Sequence, residues 1–310
     1  MKTLFEDDLV EAVILLCTAG RRPGVPPLQI RRFHAERERC YAQLDPDQRQ
    51  EAFAHLHLAW FREWELADQL AAAAGRFPGL ANALATLAFR QARTQSDEGA
   101  ELYANPEGQR HGIVALRPDR FTGPAALDRW LHHELAHLAD MLDARFGYSP
   151  LWTGATPSAA RERLVRERYR LLWNVSIDGR LTRRQLATVA DESRRRAEFN
   201  RAFAFLPEPR QADLFGGLWN GRMTGHADLL ALAMDPRGLH DAHAPLPGAQ
   251  CPLCGFTAFA WIDVRTLHPE AQARLHAEFP DRPSEETVCA RCAEIYQSIA
   301  GLTYPPTVCL

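Results

Sequence analysis

Residues 130–143 read WLHHELAHLADMLD and place three of the chain's 12 histidines and a glutamate within six positions. His133 and His137 are four residues apart, so on a helix they share a face and both imidazoles reach one ion. Glu134 falls about 100° further round, beside such an ion without binding it. Two neutral imidazoles of an H-E-x-x-H pattern hold Zn²⁺, which acidifies a bound water, while the glutamate takes that water's proton and delivers it to a leaving amine. Asp140 and Trp130 fall on the histidine face, and Asp140 is placed to accept a hydrogen bond from a ligand imidazole. The competing reading is a surface helix with two incidental histidines.

The element that must carry these groups is legible. Leu127, Leu131, Leu135, Leu138 and Leu142 recur at steps of three or four and form one apolar stripe, apart from the histidines. Thr122-Gly123-Pro124 opens the helix, since proline suits the first helical position. The pattern predicts a helix from Pro124 to about Arg145, with Gly147 near its end. A short strand-like run, IVALRPDRF, precedes it, after the turn-rich break YANPEGQRHG.

HELAH resembles the helix of SprT-like proteases in the zincin metallopeptidase superfamily, and HELAHLAD is similar to bacterial peptidases with an H-E-F-A-H-x-L-D helix. The likeness covers about 25 residues. It implies a mixed α/β catalytic domain, with a strand lining the cleft before the active-site helix, and peptide-bond hydrolysis. On the matching residues His133 and His137 become zinc ligands and Glu134 the general base.

A catalytic zinc takes three protein ligands and keeps a fourth position open. The metzincin extension needs glycine at 140, where Asp140 stands, although Asp143 would suit its last position. SprT-like proteins place a histidine soon after the helix, and FGYSPLW has none. The candidates are Asp178 in LLWNVSIDGRL, Glu192 and Glu198 in ADESRRRAEFNRAF, and His226 in MTGHADLLALA. Asp178 is taken first. It shares a helical face with Asn174 and Leu171, and WNVSID resembles a W-N-x-A-x-D segment of some bacterial metallopeptidase-like proteins. The plainer reading of Asp178-Gly179 is a helix-ending turn.

CPLCGF and CARCAEIY supply Cys251, Cys254, Cys289 and Cys292, a set suited to a closed tetrahedral zinc that plays a structural part. The first pair precedes Gly255 as in a zinc knuckle, and the second opens a helical segment. The layout resembles a treble-clef or zinc-ribbon module. Cys17, Cys40 and Cys309 are read as free. The expected cofactors are two zinc ions, one catalytic and one structural.

The chain has 310 residues, 46% hydrophobic and 24% charged, with a net charge of -3. That balance gives no global reason to expect a nucleic-acid or membrane partner. Lys2 is the single lysine. Glu6, Asp7 and Asp8 stand where a signal peptide wants positive charge, and paired cysteines suggest metal in a reducing compartment, so a cytoplasmic protein is expected. The fold class expected is α+β, mostly helical. It comprises a helical N-terminal region (1–105), a zincin-like domain (106–240), a linker (241–250) and a Cys₄ module (251–310). His34, His55 and His57 are read as packing or surface groups. The Arg-rich stretch 161–196, interleaved with acids, is read as a solvated face rather than a phosphate-binding stripe.

The expected function is a zinc peptidase acting on protein or peptide substrates, with the Cys₄ module available to a protein partner. The alternatives are a non-catalytic zinc-binding regulator or assembly factor, and a SprT-like DNA-associated protease.

Overall fold

The computed structural model describes residues 1–150, 159–223, 225–237, 245, 248–280 and 287–300. Most of linker 241–250, and Cys309, lie outside the described residues. The described residues are mostly helical, with three small sheets among them. Among the described residues no helix is long and apolar enough to cross a membrane. The chain divides into two compact units, Met1–Ser149 with Asn174–His226, and Pro150–Trp173 with Ala227–Leu310.

The first unit is built on a four-stranded sheet in the order β1-β2-β4-β3. Strands β1 (Lys2–Phe5), β2 (Thr86–Gln91) and β4 (Arg110–Leu116) run parallel, and β3 (Gly99–Ala104) pairs antiparallel with β4 at the edge. Three of these strands lie in the stretch 1–105 that the sequence suggested was helical. They alternate with period two over very short spans (Leu87 and Phe89 buried, Thr86 and Ala88 half-buried). Pairing with β4, rather than local propensity, makes them strands.

Five helices connect β1 to β2: α1 (Asp7–Thr18), α2 (Pro27–Cys40), α3 (Pro46–Glu63), α4 (Leu66–Gly75) and α5 (Pro78–Ala83). Their buried faces supply Leu9, Val13, Ile14, Phe33, Trp60, Phe61 and Leu70 to the core, together with the free Cys17 and Cys40. His57 is buried between the rings of Phe33 and Phe53, each with its centroid 6.0 Å away, so it is a packing group as expected.

Helix α6 (Pro124–Leu142) has proline in its first turn and buries Leu127, Leu131, Leu135 and Leu138. It ends at Leu142, three residues short of the predicted end, because Asp143 is extended. Gly112 of β4 lets α6 approach the sheet: a side chain there would meet Leu138 Cδ2 at 2.7 Å. Helix α7 (Ala159–Arg183) contributes Asn174–Arg183 to this unit, followed by α8 (Glu192–Ala202) and α9 (Glu208–Trp219). Asp178-Gly179 is therefore within a helix and not a turn. Gly179 is required by packing, since a Cβ there would collide with the backbone of Trp219, its carbonyl oxygen first.

In the second unit α10 (His226–Met234) continues from its first residue. Hairpin β5 (Ala249–Gln250)–β6 (Thr257–Ala258) and pair β7 (Trp261–Asp263)–β8 (Thr287–Cys289) accompany α11 (Pro269–Glu278) and α12 (Ala290–Ala300). A small core of Val264, Leu267, Ala271, Leu275, Val288 and Tyr296 packs around the cysteines.

Because backbone atoms of α9 cannot yield as a side chain can, Gly179→Ala is expected to destabilise the first unit by about 1–3 kcal/mol. Urea denaturation of the full chain would register this as a lower midpoint, whereas an unchanged midpoint would show that the two helices have room to part.

Candidate metal centres

Four thiols converge in the second unit. The Sγ atoms of Cys251, Cys254, Cys289 and Cys292 all lie within 4.8 Å of one another. The Cys251–Cys292 and Cys254–Cys289 sulfurs are 3.9 Å apart. Four thiolates on a tetrahedral zinc at about 2.3 Å are about 3.8 Å apart, so this spacing fits that ion. The first pair sits on the β5–β6 hairpin, where Gly255 adopts φ 72° and donates to the Cys251 carbonyl. The second spans the end of β8 and the first turn of α12, where the Cys292 N–H points to Cys289 Sγ at 3.4 Å.

Burial raises the cost of a Cys251 thiolate, yet nearby backbone N–H groups, those of Cys254, Cys289 and Leu253 among them, outweigh it and bring its pKa down to about 7. Burial and neighbouring thiols push Cys289 and Cys292 upward. The Cys251 thiolate thus opposes ionisation of Cys289 and Cys292, a repulsion that a divalent cation would reverse. The cluster could hold a metal ion such as zinc.

The second constellation lies between α6 and α7. His133 and His137 stand one helical turn apart with ring centroids separated by 5.0 Å. Opposite them, Asn174 Oδ1 is 3.2 Å from His133 Nε2 and 3.0 Å from His137 Nε2. Three heteroatoms therefore face one small volume. Donors at about 2.1 Å from an ion are about 3.0 Å apart along an octahedral edge and 3.4 Å along a tetrahedral one. The observed separations fall between these.

Asp178, the first choice for a third ligand, stands behind His133. Its Oδ1 is 2.9 Å from His133 Nδ1 and its Oδ2 accepts from Arg195 Nε at 2.6 Å, with none of the carboxylate exposed. A carboxylate only accepts, so Nδ1 carries a proton, and a ring with that proton alone turns a bare Nε2 toward Asn174 Oδ1. Two lone pairs 3.2 Å apart repel. The contact becomes favourable if Nε2 is protonated, if the amide turns its NH₂ group, or if a cation lies between.

Asp178 thus makes the kind of imidazole hydrogen bond that the sequence also suggested for Asp140. Asp140 is buried and forms a bidentate pair with Arg180, both contacts 2.7 Å. Trp130 is also buried, under the Arg120 guanidinium 4.6 Å from its ring. Neither remaining acidic candidate is brought to the histidines. Glu192 pairs on the surface with Arg196 at 2.6 Å, and Glu198 with Arg194 and Arg195. His226 donates its backbone N–H to Phe146 O and packs against Tyr148, with burial holding its pKa down.

Sequence reasoning passed over two residues here. Asn174 had a signal, since it shares the face of Asp178. Arg195 had none, being one arginine among many in a stretch read as solvated.

Glu134, half-buried, accepts the Ala100 N–H at 3.2 Å through Oε2. Gly99, next to Ala100, adopts φ 151°, a backbone conformation that side-chain-bearing residues rarely take. The start of β3 is fixed by Glu98, whose side chain is 3% exposed. It accepts from the Arg117 N–H at 3.0 Å and from Arg120 Nε and Nη2 at 2.7 Å each. Burial opposes its charge, but these donors win and hold its pKa below the usual value. No protein-family model matches the chain, and no curated protein or solved structure matches it significantly.

A depressed folded-state pKa stabilises the fold above the unfolded value, about 4.3, and that stability is lost as pH falls through the folded value. Glu98→Gln is expected to cost on the order of 1–3 kcal/mol at pH 7 and to flatten the acid dependence of stability. Denaturant titrations at neutral and acid pH would measure both. An unaltered acid slope would show that Glu98 does not clamp the strand.

Proposed function

We propose that the chain is a zinc-dependent peptidase of zincin type. His133, His137 and Asn174 surround the catalytic ion, Glu134 is the general base, and a second, structural zinc is held by the four cysteines in a treble-clef-like module. One observation carries this reading. Both Nε2 atoms converge on Asn174 Oδ1 within 3.2 Å, and on the same helix Glu134 reaches the backbone of edge strand β3.

The Ala100 N–H is given to Glu134, so it points away from β4. By the alternation of an antiparallel ladder, the N–H and C=O of Leu102 face the same open edge. An extended peptide paired there would lie along β3 with a carbonyl delivered toward Glu134. A zinc ion held by His133, His137 and Asn174 would supply Lewis acidity that makes water nucleophilic near neutral pH. Glu134 takes the proton as water adds to the peptide carbon, then passes it to the amine nitrogen as the C–N bond breaks. Asp178 keeps the His133 proton on Nδ1 and its Nε2 lone pair toward the ion.

The amide of Asn174 is a neutral oxygen donor, weaker for zinc than a carboxylate or a third imidazole. That favours a second reading, a non-catalytic regulator that keeps the same folded site. A DNA-associated protease draws less support: residues 251–310 contain seven acidic and four basic residues, and a protein partner suits such a module better.

Two zinc ions per chain are expected, with a chelator removing the histidine-bound one first. Glu134→Gln is expected to lower hydrolysis of unfolded protein substrates by about 10²–10⁴-fold while both zinc ions stay bound. Equal rates for the variant and the parent chain would remove Glu134 from its role. If the zinc-loaded parent chain cleaves nothing across a broad substrate panel, the regulator is the better reading.

A further inference from the structure

We infer that Arg195 of α8 is a positioning residue for the histidine site, acting on the ion through Asp178 and His133. The inference rests on the metal-site reading above. Asp178 has no exposed surface and uses one oxygen for His133 Nδ1 and the other for Arg195 Nε. A buried carboxylate held on one side only is free to turn about its last torsion, and the angle of its bond to His133 would wander. Arg195 removes that freedom by holding Oδ2 at 2.6 Å.

Arg195 is itself held. Its Nη1 reaches Glu198 Oε2 at 2.7 Å, and Glu198 also accepts from Arg194 Nε at 3.2 Å. The Asp191 side chain caps the start of α8 by accepting the Arg194 N–H at 2.8 Å, which fixes the turn that presents Arg195. The rigid guanidinium serves two different carboxylates through Nε and Nη1, an arrangement that a lysine ammonium reproduces poorly. Glu198, at 31% exposure, places the far end of this chain of contacts at the surface. Three helices thus build the site: α6 supplies the imidazoles, α7 the oxygen and the acceptor, and α8 the charge that orients the acceptor.

If Arg195 acts only through Asp178, the two residues form a single unit in a double-mutant cycle. The experiment is zinc competition against a chromophoric chelator, using the full chain with its Cys₄ zinc retained. Asp178→Asn is expected to weaken the second zinc by about 10–100-fold, the usual cost of losing an outer partner of a ligand imidazole. Arg195→Met is expected to weaken it by about tenfold and Arg195→Lys by less, with Arg195→Met/Asp178→Asn no weaker than Asp178→Asn alone.

The double variant has no unpaired buried charge, so it keeps the comparison available if Arg195→Met alone fails to fold. Glu198→Gln, which leaves the Arg195–Asp178 pair intact, is expected to give a smaller loss in the same direction. Losses that multiply in the double variant would overturn the inference, as would parental affinity in Arg195→Met. A parent chain that binds only the Cys₄ zinc would overturn the metal-site reading itself, and this inference with it.

Discussion

A carboxylate with no solvent contact must have both oxygens bonded by donors, or its burial is prohibitive. Asp178 meets that condition with the His133 imidazole on one oxygen and the Arg195 guanidinium on the other. The requirement joins α6, α7 and α8. It also decides which imidazole nitrogen carries the proton and which faces Asn174. Gly179, next along α7, admits the backbone of α9 beside the same turn, so packing and polar chemistry constrain one short segment together.

The sheet brings the second half of the candidate site. Gly112 allows α6 to lie close on β4, and the antiparallel β3 then passes Glu134 near enough for its backbone to donate to the carboxylate. Glu98 ties the first residue of that strand to Arg117 and Arg120, in the connection leading into α6. Glu134 and the edge strand are thus set by contacts among elements close in sequence. The oxygen donor facing the histidines comes from α7.

What the sequence disclosed follows from the range of the forces involved. The stripe of leucines, the proline at the start of α6 and the four-residue spacing of His133 and His137 are local and periodic, and they were legible. So were the paired cysteines, since two CxxC segments imply their own geometry. Strands β1 to β3 were not, because only their pairing distinguishes them from helical sequence rich in alanine and leucine. Asn174 and Asp178 could be placed on one face, but which of them meets the two Nε2 atoms depends on the approach of α6. Arg195 lay in a run of arginines that mostly do pair with acids at the surface, as Arg194 and Arg196 do. Its burial is a tertiary fact with no local mark.

The central claim is that two imidazoles and an amide oxygen form a metal site distinct from the cysteine cluster. Zinc K-edge X-ray absorption on the chain loaded with two equivalents tests it most directly. The expected spectrum combines a sulfur shell near roughly 2.3 Å with a nitrogen and oxygen shell at roughly 2.0–2.1 Å, the latter lost in a His133→Ala/His137→Ala chain. A single bound equivalent showing sulfur scattering alone would contradict it.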